Sequence, residues 1–192
     1  MSTNDQFSAA RIADRLEIQD ALLRWCRGID RLDYDEIRGV FHPDARDNHG
    51  VAVFDVDGLI AWIKERHKTV AVSMHRLGNI LIEFAGPDLA LVESYADACQ
   101  CYPPEGSAAL AQLTGEQNWR PDVGKVFLGP GRYIDRFERR DRRWKIARRT
   151  VIMETSLIFD MPPAGAKGKP NWVEGRRDRE DFLYQEKRAL GL

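Results

Sequence analysis

Several large protein classes are excluded by what this chain has little of. Three cysteines in 192 residues are few and odd in number, which argues against a disulfide framework. Lys and Arg total 29 against 30 Asp and Glu, a net charge of −1, so no strong field exists to gather nucleic acid or an acidic membrane. No apolar run approaches the ~20 residues that span a bilayer. The first fifteen residues lack the charged, apolar, then small-residue order of a signal peptide. His42, His49, His67 and His75 show no zinc-ligand spacing, and Cys99-Gln100-Cys101 has no second ligand pair. Gly129-Pro130-Gly131 precedes a strand rather than a helix, which removes a Rossmann turn or a P-loop. No Gly-x-Ser-x-Gly elbow occurs. The expectation is a soluble, cytoplasmic protein with no metal site and with cysteines that serve packing.

What is present is a globular chain, 43% hydrophobic and 31% charged, with apolar matter enough for a core. Residues 8–29 read as a helix whose apolar stripe is Ile18, Leu22, Trp25, Cys26 and Ile29, with Arg11 and Asp14 on the polar face. Asp33 suits the N-cap of a second, short helix, and Glu36 stands where it can bond back. His42-Pro43-Asp44 is expected to stop that helix and leave His42 exposed. A strand or irregular extended segment covers 46–54, and Asp57-Gly58 opens a third helix. Strands are predicted over 79–84, 90–102, 131–139 and 144–154, with turns at Gly86-Pro87-Asp88 and 140–143. Residues 103–130 are too long for an ordinary connection and read as a lid, a binding loop or a disordered segment. The expected organisation is a domain over 1–160, then a Pro/Gly linker and a charged, helical tail over 161–192 bearing Trp172, Phe182 and Tyr184. Helices followed by antiparallel strands make an α+β order.

Two residues suggest chemistry. Asp30 projects from the apolar side of the first helix, at its electronegative end, while Asp33 is available for the capping. Burial and the helix dipole would raise its pKa, or set it to hold a protonated imidazole. His75 stands before an apolar strand and is of the residue type most used as a general base. Taken alone, each also suits a structural part: Asp30 as a loop carboxylate on nearby backbone, His75 as a hydrogen-bonded residue at a strand entrance. Eight cations fall within residues 136–149, but Glu138 and Asp141 interrupt them and alternation splits them over two faces. A solvated hairpin is expected rather than a nucleic-acid surface. Arg149 lies mid-strand, where burial would require an anionic partner.

Three ordered motifs carry a resemblance. Ile29-Asp30-Arg31-Leu32-Asp33-Tyr34-Asp35 with Phe41-His42-Pro43-Asp44-Ala45, then His75 with Asn79 and Ile82-Glu83-Phe84, then Gly131-Arg132-Tyr133 through Arg149 resemble SnoaL-like proteins of the NTF2-like superfamily, over roughly residues 8–158. The resemblance implies an α+β cone: a curved antiparallel sheet with about three N-terminal helices enclosing an apolar pocket. It points to the branch of scytalone dehydratase, hexachlorocyclohexane dehydrochlorinase and bile acid 7α-dehydratase, which are cofactor-free lyases working through an Asp–His pair. By position Asp30 is then the aspartate, His75 the general base and Arg149 the arginine that stabilises developing negative charge. Trp25, Asp47, His49 and Tyr133 fall at substrate-binding positions. The implied substrate is a small, hydrophobic, aromatic or polycyclic molecule that loses water, halide or a small carbonyl fragment. The implied assembly is a homo-oligomer, trimer or dimer. A double-bond isomerase with the same pair, or a non-catalytic binder, is the alternative. The chain departs from scytalone dehydratase in two places: Ala96-Asp97-Ala98-Cys99 replaces the strand with its second histidine, and Ile29 replaces the tyrosine before the aspartate.

Overall fold

The computed structural model describes residues 6–115, 120, 122–161 and 171–192. Among them the helices are α1 (Ala9–Arg31), α2 (Tyr34–Gly39), α3 (Val56–Arg66), α4 (Ser107–Thr114) and α5 (Phe182–Leu190). The strands are β1 (Phe41–Asn48), β2 (Val53–Phe54), β3 (Val72–Gly86), β4 (Leu89–Tyr102), β5 (Lys125–Arg140), β6 (Arg143–Met153) and β7 (Leu157–Asp160). They form one sheet in the order β2-β1-β6-β5-β4-β3, with β7 paired to β5. Every pairing is antiparallel except β1 with β6, which is parallel. Register shifts in β3, in β1 against β6 and at Arg136/Phe137 bend the sheet into its curve. The expected α+β cone is the architecture found.

The core lies between the concave sheet face and α1, α2 and α3. Ile18, Leu22, Trp25, Cys26 and Ile29 are all buried, so the apolar stripe of α1 is the stripe that packs. The face read as polar departs from expectation: Arg11 and Asp14 are buried as a 2.9 Å ion pair. Arg11 also donates to the Gly86 carbonyl at 2.8 Å, and Asp14 accepts from the Trp144 indole at 2.9 Å. Buried charges are tolerated there because every one has a partner.

Several boundaries also move. Asp55, rather than Asp57, caps α3 by accepting from the Gly58 N–H. Asp33 caps α2 as expected, but Glu36 is taken by Arg27 instead of bonding back. His42-Pro43 lies inside β1, where a register shift between Phe41 and Arg46 accommodates a residue without an N–H. His42 is consequently buried, its Nε2 2.9 Å from the Glu138 carbonyl. β3 starts at Val72, which places His75 within the strand. Within the long segment 103–130, the described residues form α4 over 107–114, and β5 already runs from Lys125. Gly129-Pro130 sits where the partner of β5 changes from β7 to β6, so an interruption in the ladder absorbs the proline. Pro121 and linker residues 162–170 lie outside the described residues. The tail beyond them docks on its own chain: Tyr184 and Arg179 both bond the Asp33 carboxylate.

Candidate active site

Asp30 sits in the last turn of α1 and is buried against β3. Its carboxylate accepts the His75 backbone N–H at 2.7 Å and the Ser73 hydroxyl at 2.9 Å, and it lies 2.7 Å from the His75 Nδ1. Burial alone would raise the carboxyl pKa, but the hydrogen bonds and charge of His75, with Ser73, hold it below the ordinary carboxylate range. The expected upward shift is therefore corrected: donors on three sides outweigh burial. An ionised Asp30 fixes the imidazole tautomer, since its oxygen can only accept. Nδ1 carries the proton, and Nε2 is the basic nitrogen. Arg177 from the tail secures the helix end that carries Asp30, donating to the Ile29, Asp30 and Val70 carbonyls at 3.1, 3.1 and 2.8 Å.

His75 faces a cavity of about 290 Å³. The room is made by small residues set in rows across the sheet. His75 pairs with Ala98 and that with Gly129, and Leu77 pairs with Ala96 and that with Gly131. A Cβ on Gly131 would stand 2.4 Å from the Ile152 carbonyl oxygen, so the close approach of β5 and β6 there requires glycine. Trp62, Phe127, Val151 and Leu113 add apolar walls, the last from α4.

Of the residues singled out in the sequence, His75, His49 and Tyr133 line the cavity, and Asp30 lies directly behind His75. His49 forms a second pair, its Nδ1 2.7 Å from the buried Asp47 carboxylate, and its ring lies against Trp62 with centroids 5.1 Å apart. Trp25 is fully buried behind Tyr133, in edge contact at 6.4 Å. Arg149 is not brought to the cavity wall. The register places it between Asp47 on β1 and Asp135 on β5, and Asp135 takes it in a two-point bond of 2.8 and 2.7 Å. Burial would lower its pKa, but Asp135 raises it above the ordinary value, so the guanidinium is charged. It stacks under Tyr133 at 4.2 Å and Trp25 at 4.7 Å. Cys26 is no nucleophile, because burial pushes its thiol up to about 12.

Four site residues carried no sequence signal. Gln100 pairs across the sheet with Ser73, its amide 3.4 Å from the Ser73 hydroxyl. Its carbonyl oxygen accepts from Arg66 at 2.7 Å and from the Tyr102 hydroxyl at 2.6 Å. A polar chain thus runs from Asp30 through Ser73 and Gln100 to Arg66 and Tyr102. Arg66 in the last turn of α3 looks, in sequence, like an ordinary dipole-compensating residue.

A buried Asp–His pair over an apolar cavity in an α+β cone defines a class of small-molecule protein. The sequence profile described as "SnoaL-like domain" matches residues 10–150, and the chain belongs to that family. It is 29% identical over 146 residues to uncharacterized protein Rv2910c of Mycobacterium tuberculosis, covering 74% of this chain and 86% of that one. Among solved structures it is similar to a type 2 hexachlorocyclohexane dehydrochlorinase, LinA (TM-score 0.64, 17% identity, 85% of this chain and 97% of that one). It is also similar to a proposed scytalone dehydratase of Novosphingobium aromaticivorans (TM-score 0.61, 17% identity, 82% and 97%). At these identities the likeness to solved structures is one of fold.

Proposed function

We propose that the protein is a cofactor-independent lyase that acts on a small ring compound by proton abstraction and elimination. The observation that carries this reading is His75: its Nδ1 is tied to Asp30, and its ring lies on the wall of an apolar cavity. His75 Nε2 takes a proton from a substrate carbon. The C–H electron pair becomes the new double bond, and the leaving group departs with its own bonding pair. Asp30 orients the imidazole and balances the imidazolium that forms. His49, held by Asp47 through its own Nδ1, is a second imidazole on the same cavity wall. Arg149 contributes through the Tyr133 and Trp25 rings that it underlies, as a fixed positive charge behind the wall. A cavity of about 290 Å³ is at the small end of ligand pockets, roughly 300–1,000 Å³, and suits one or two rings better than a steroid nucleus. The fold is shared with a dehydrochlorinase, which supports elimination over plain binding. Returning the proton to another carbon would make the same pair an isomerase.

The test is turnover, without added cofactor, of cyclic compounds bearing a halide or hydroxyl next to an acidic C–H. Released halide and the absorbance of the new double bond are the readouts. Asp30→Asn and His75→Ala should stay folded while the rate falls by roughly 10²–10⁴. Wild-type turnover in both variants would sink the mechanism. A double bond that moves with no fragment released would establish the isomerase.

A further inference from the structure

Three arginines are buried among the described residues: Arg11, Arg66 and Arg149. Arg11 has Asp14 and Arg149 has Asp135, whereas no carboxylate of the described residues reaches Arg66. Its Nη2 donates to the neutral oxygens of Gln100 and Tyr102, both at 2.7 Å, and its Nε has no partner among the described residues. Its Nη1 faces His67 Nε2, while Arg177 faces His67 Nδ1 at 2.7 Å. Burial and the two guanidiniums keep His67 neutral, with its pKa far below the ordinary value. A neutral imidazole has one accepting nitrogen, so it serves one of the two arginines only. Arg66 therefore keeps at least two of its five N–H groups without an acceptor among the described residues. Yet this residue lines the same cavity as His75 and Gln100. The other arginine of that wall, Arg132, is already paired with Glu93 and Glu154 at 2.6 Å each.

We propose that Arg66 is the anion anchor of the cavity, and that the substrate is an aromatic or alicyclic carboxylate whose carboxyl group docks on this guanidinium. A carboxylate supplies the charge and the acceptor oxygens that the described residues do not, in the two-point geometry that guanidinium favours. The sheet sets the spacing. Ser73–Gln100 and His75–Ala98 are neighbouring same-face rows, on the order of 7 Å apart at two residues of strand rise. A carboxyl group on Arg66 would place a carbon on the far side of one ring beneath His75. This placement of the reacting carbon rests on His75 being the base. The anion site does not.

Calorimetric titration with 2-naphthoate and with its neutral counterpart 2-naphthamide tests the anchor without turnover, so it stands or falls apart from the lyase reading. Wild-type protein should bind naphthoate about tenfold or more tightly than naphthamide, the preference expected for charged hydrogen bonds. His75→Ala should keep that preference, and Arg66→Gln should reduce it below about threefold. Arg66→Lys, which keeps the charge but not the fork, should retain a weakened preference. Equal binding of the two probes, or no binding of naphthoate, overturns the proposal. So does a preference lost in His75→Ala and kept in Arg66→Gln, which would place the anion on the histidine. Where Arg66→Gln does not fold, Arg66→Lys decides the question, and a preference undiminished from wild type overturns the proposal.

Discussion

Arg149 and Arg66 are both buried, yet the first is clasped by Asp135 and the second meets only neutral acceptors among the described residues. Their pKa values move in opposite directions. Burial depresses both, but Asp135 reverses the shift at Arg149, while Tyr102 only softens it at Arg66. A guanidinium whose countercharge is supplied by its own sheet is part of the framework. One whose countercharge is missing, on the wall of a cavity, is available to a ligand. Arg177 falls between the two: burial pulls it down to about 10, and it is satisfied by backbone carbonyls at the end of α1.

The largest test of this contrast is Asp135→Ala. It strands the Arg149 charge in the core and should cost about 3–5 kcal/mol in urea unfolding. Arg177→Ala should cost less, about 1–2 kcal/mol for the bonds lost to helix-end carbonyls. It should also loosen the tail, which limited proteolysis would register as earlier cleavage. Arg66→Met should change stability by less than about 1 kcal/mol, or increase it, because it removes a charge that no carboxylate of the described residues pairs. A loss as large as that of Asp135→Ala would erase the distinction between the two arginines.

The smallest effect is confined to acid. The folded-state pKa of Asp30 lies below its ordinary value, so its contribution is complete above the unfolded value and is lost as pH falls through the folded one. The stability gap between wild type and Asp30→Asn should be flat above about pH 5 and close below about pH 4. A gap that instead widened with acid would mean that Asp30 is not held ionised by its partners.

Much of this arrangement was legible along the chain, and the reasons are local. The apolar stripe of α1 has the helical period, and Asp33 caps where an aspartate before a short helix should. Asp30 and His75 were found because ordered motifs framed them. The failures share a different cause. Arg11 and Asp14 read as polar-face residues because periodicity does not know that the Gly86 turn and Trp144 will lie over them. His42-Pro43 read as a stop because a bulge between two strands 100 residues apart is invisible locally. Arg66, Gln100 and Ser73 left no trace, since each is an unremarkable polar residue until strand register brings it beside the others.

By itself, then, the sequence determined the α+β order of elements, the apolar stripe of α1 and the aspartate and histidine of the pair, because these depend on spacing within a few turns or strand repeats. Only the tertiary structure decided which charges are paired and which cavity row is left small. Those properties belong to register between distant strands, and to the desolvation that follows when a helix end closes over them.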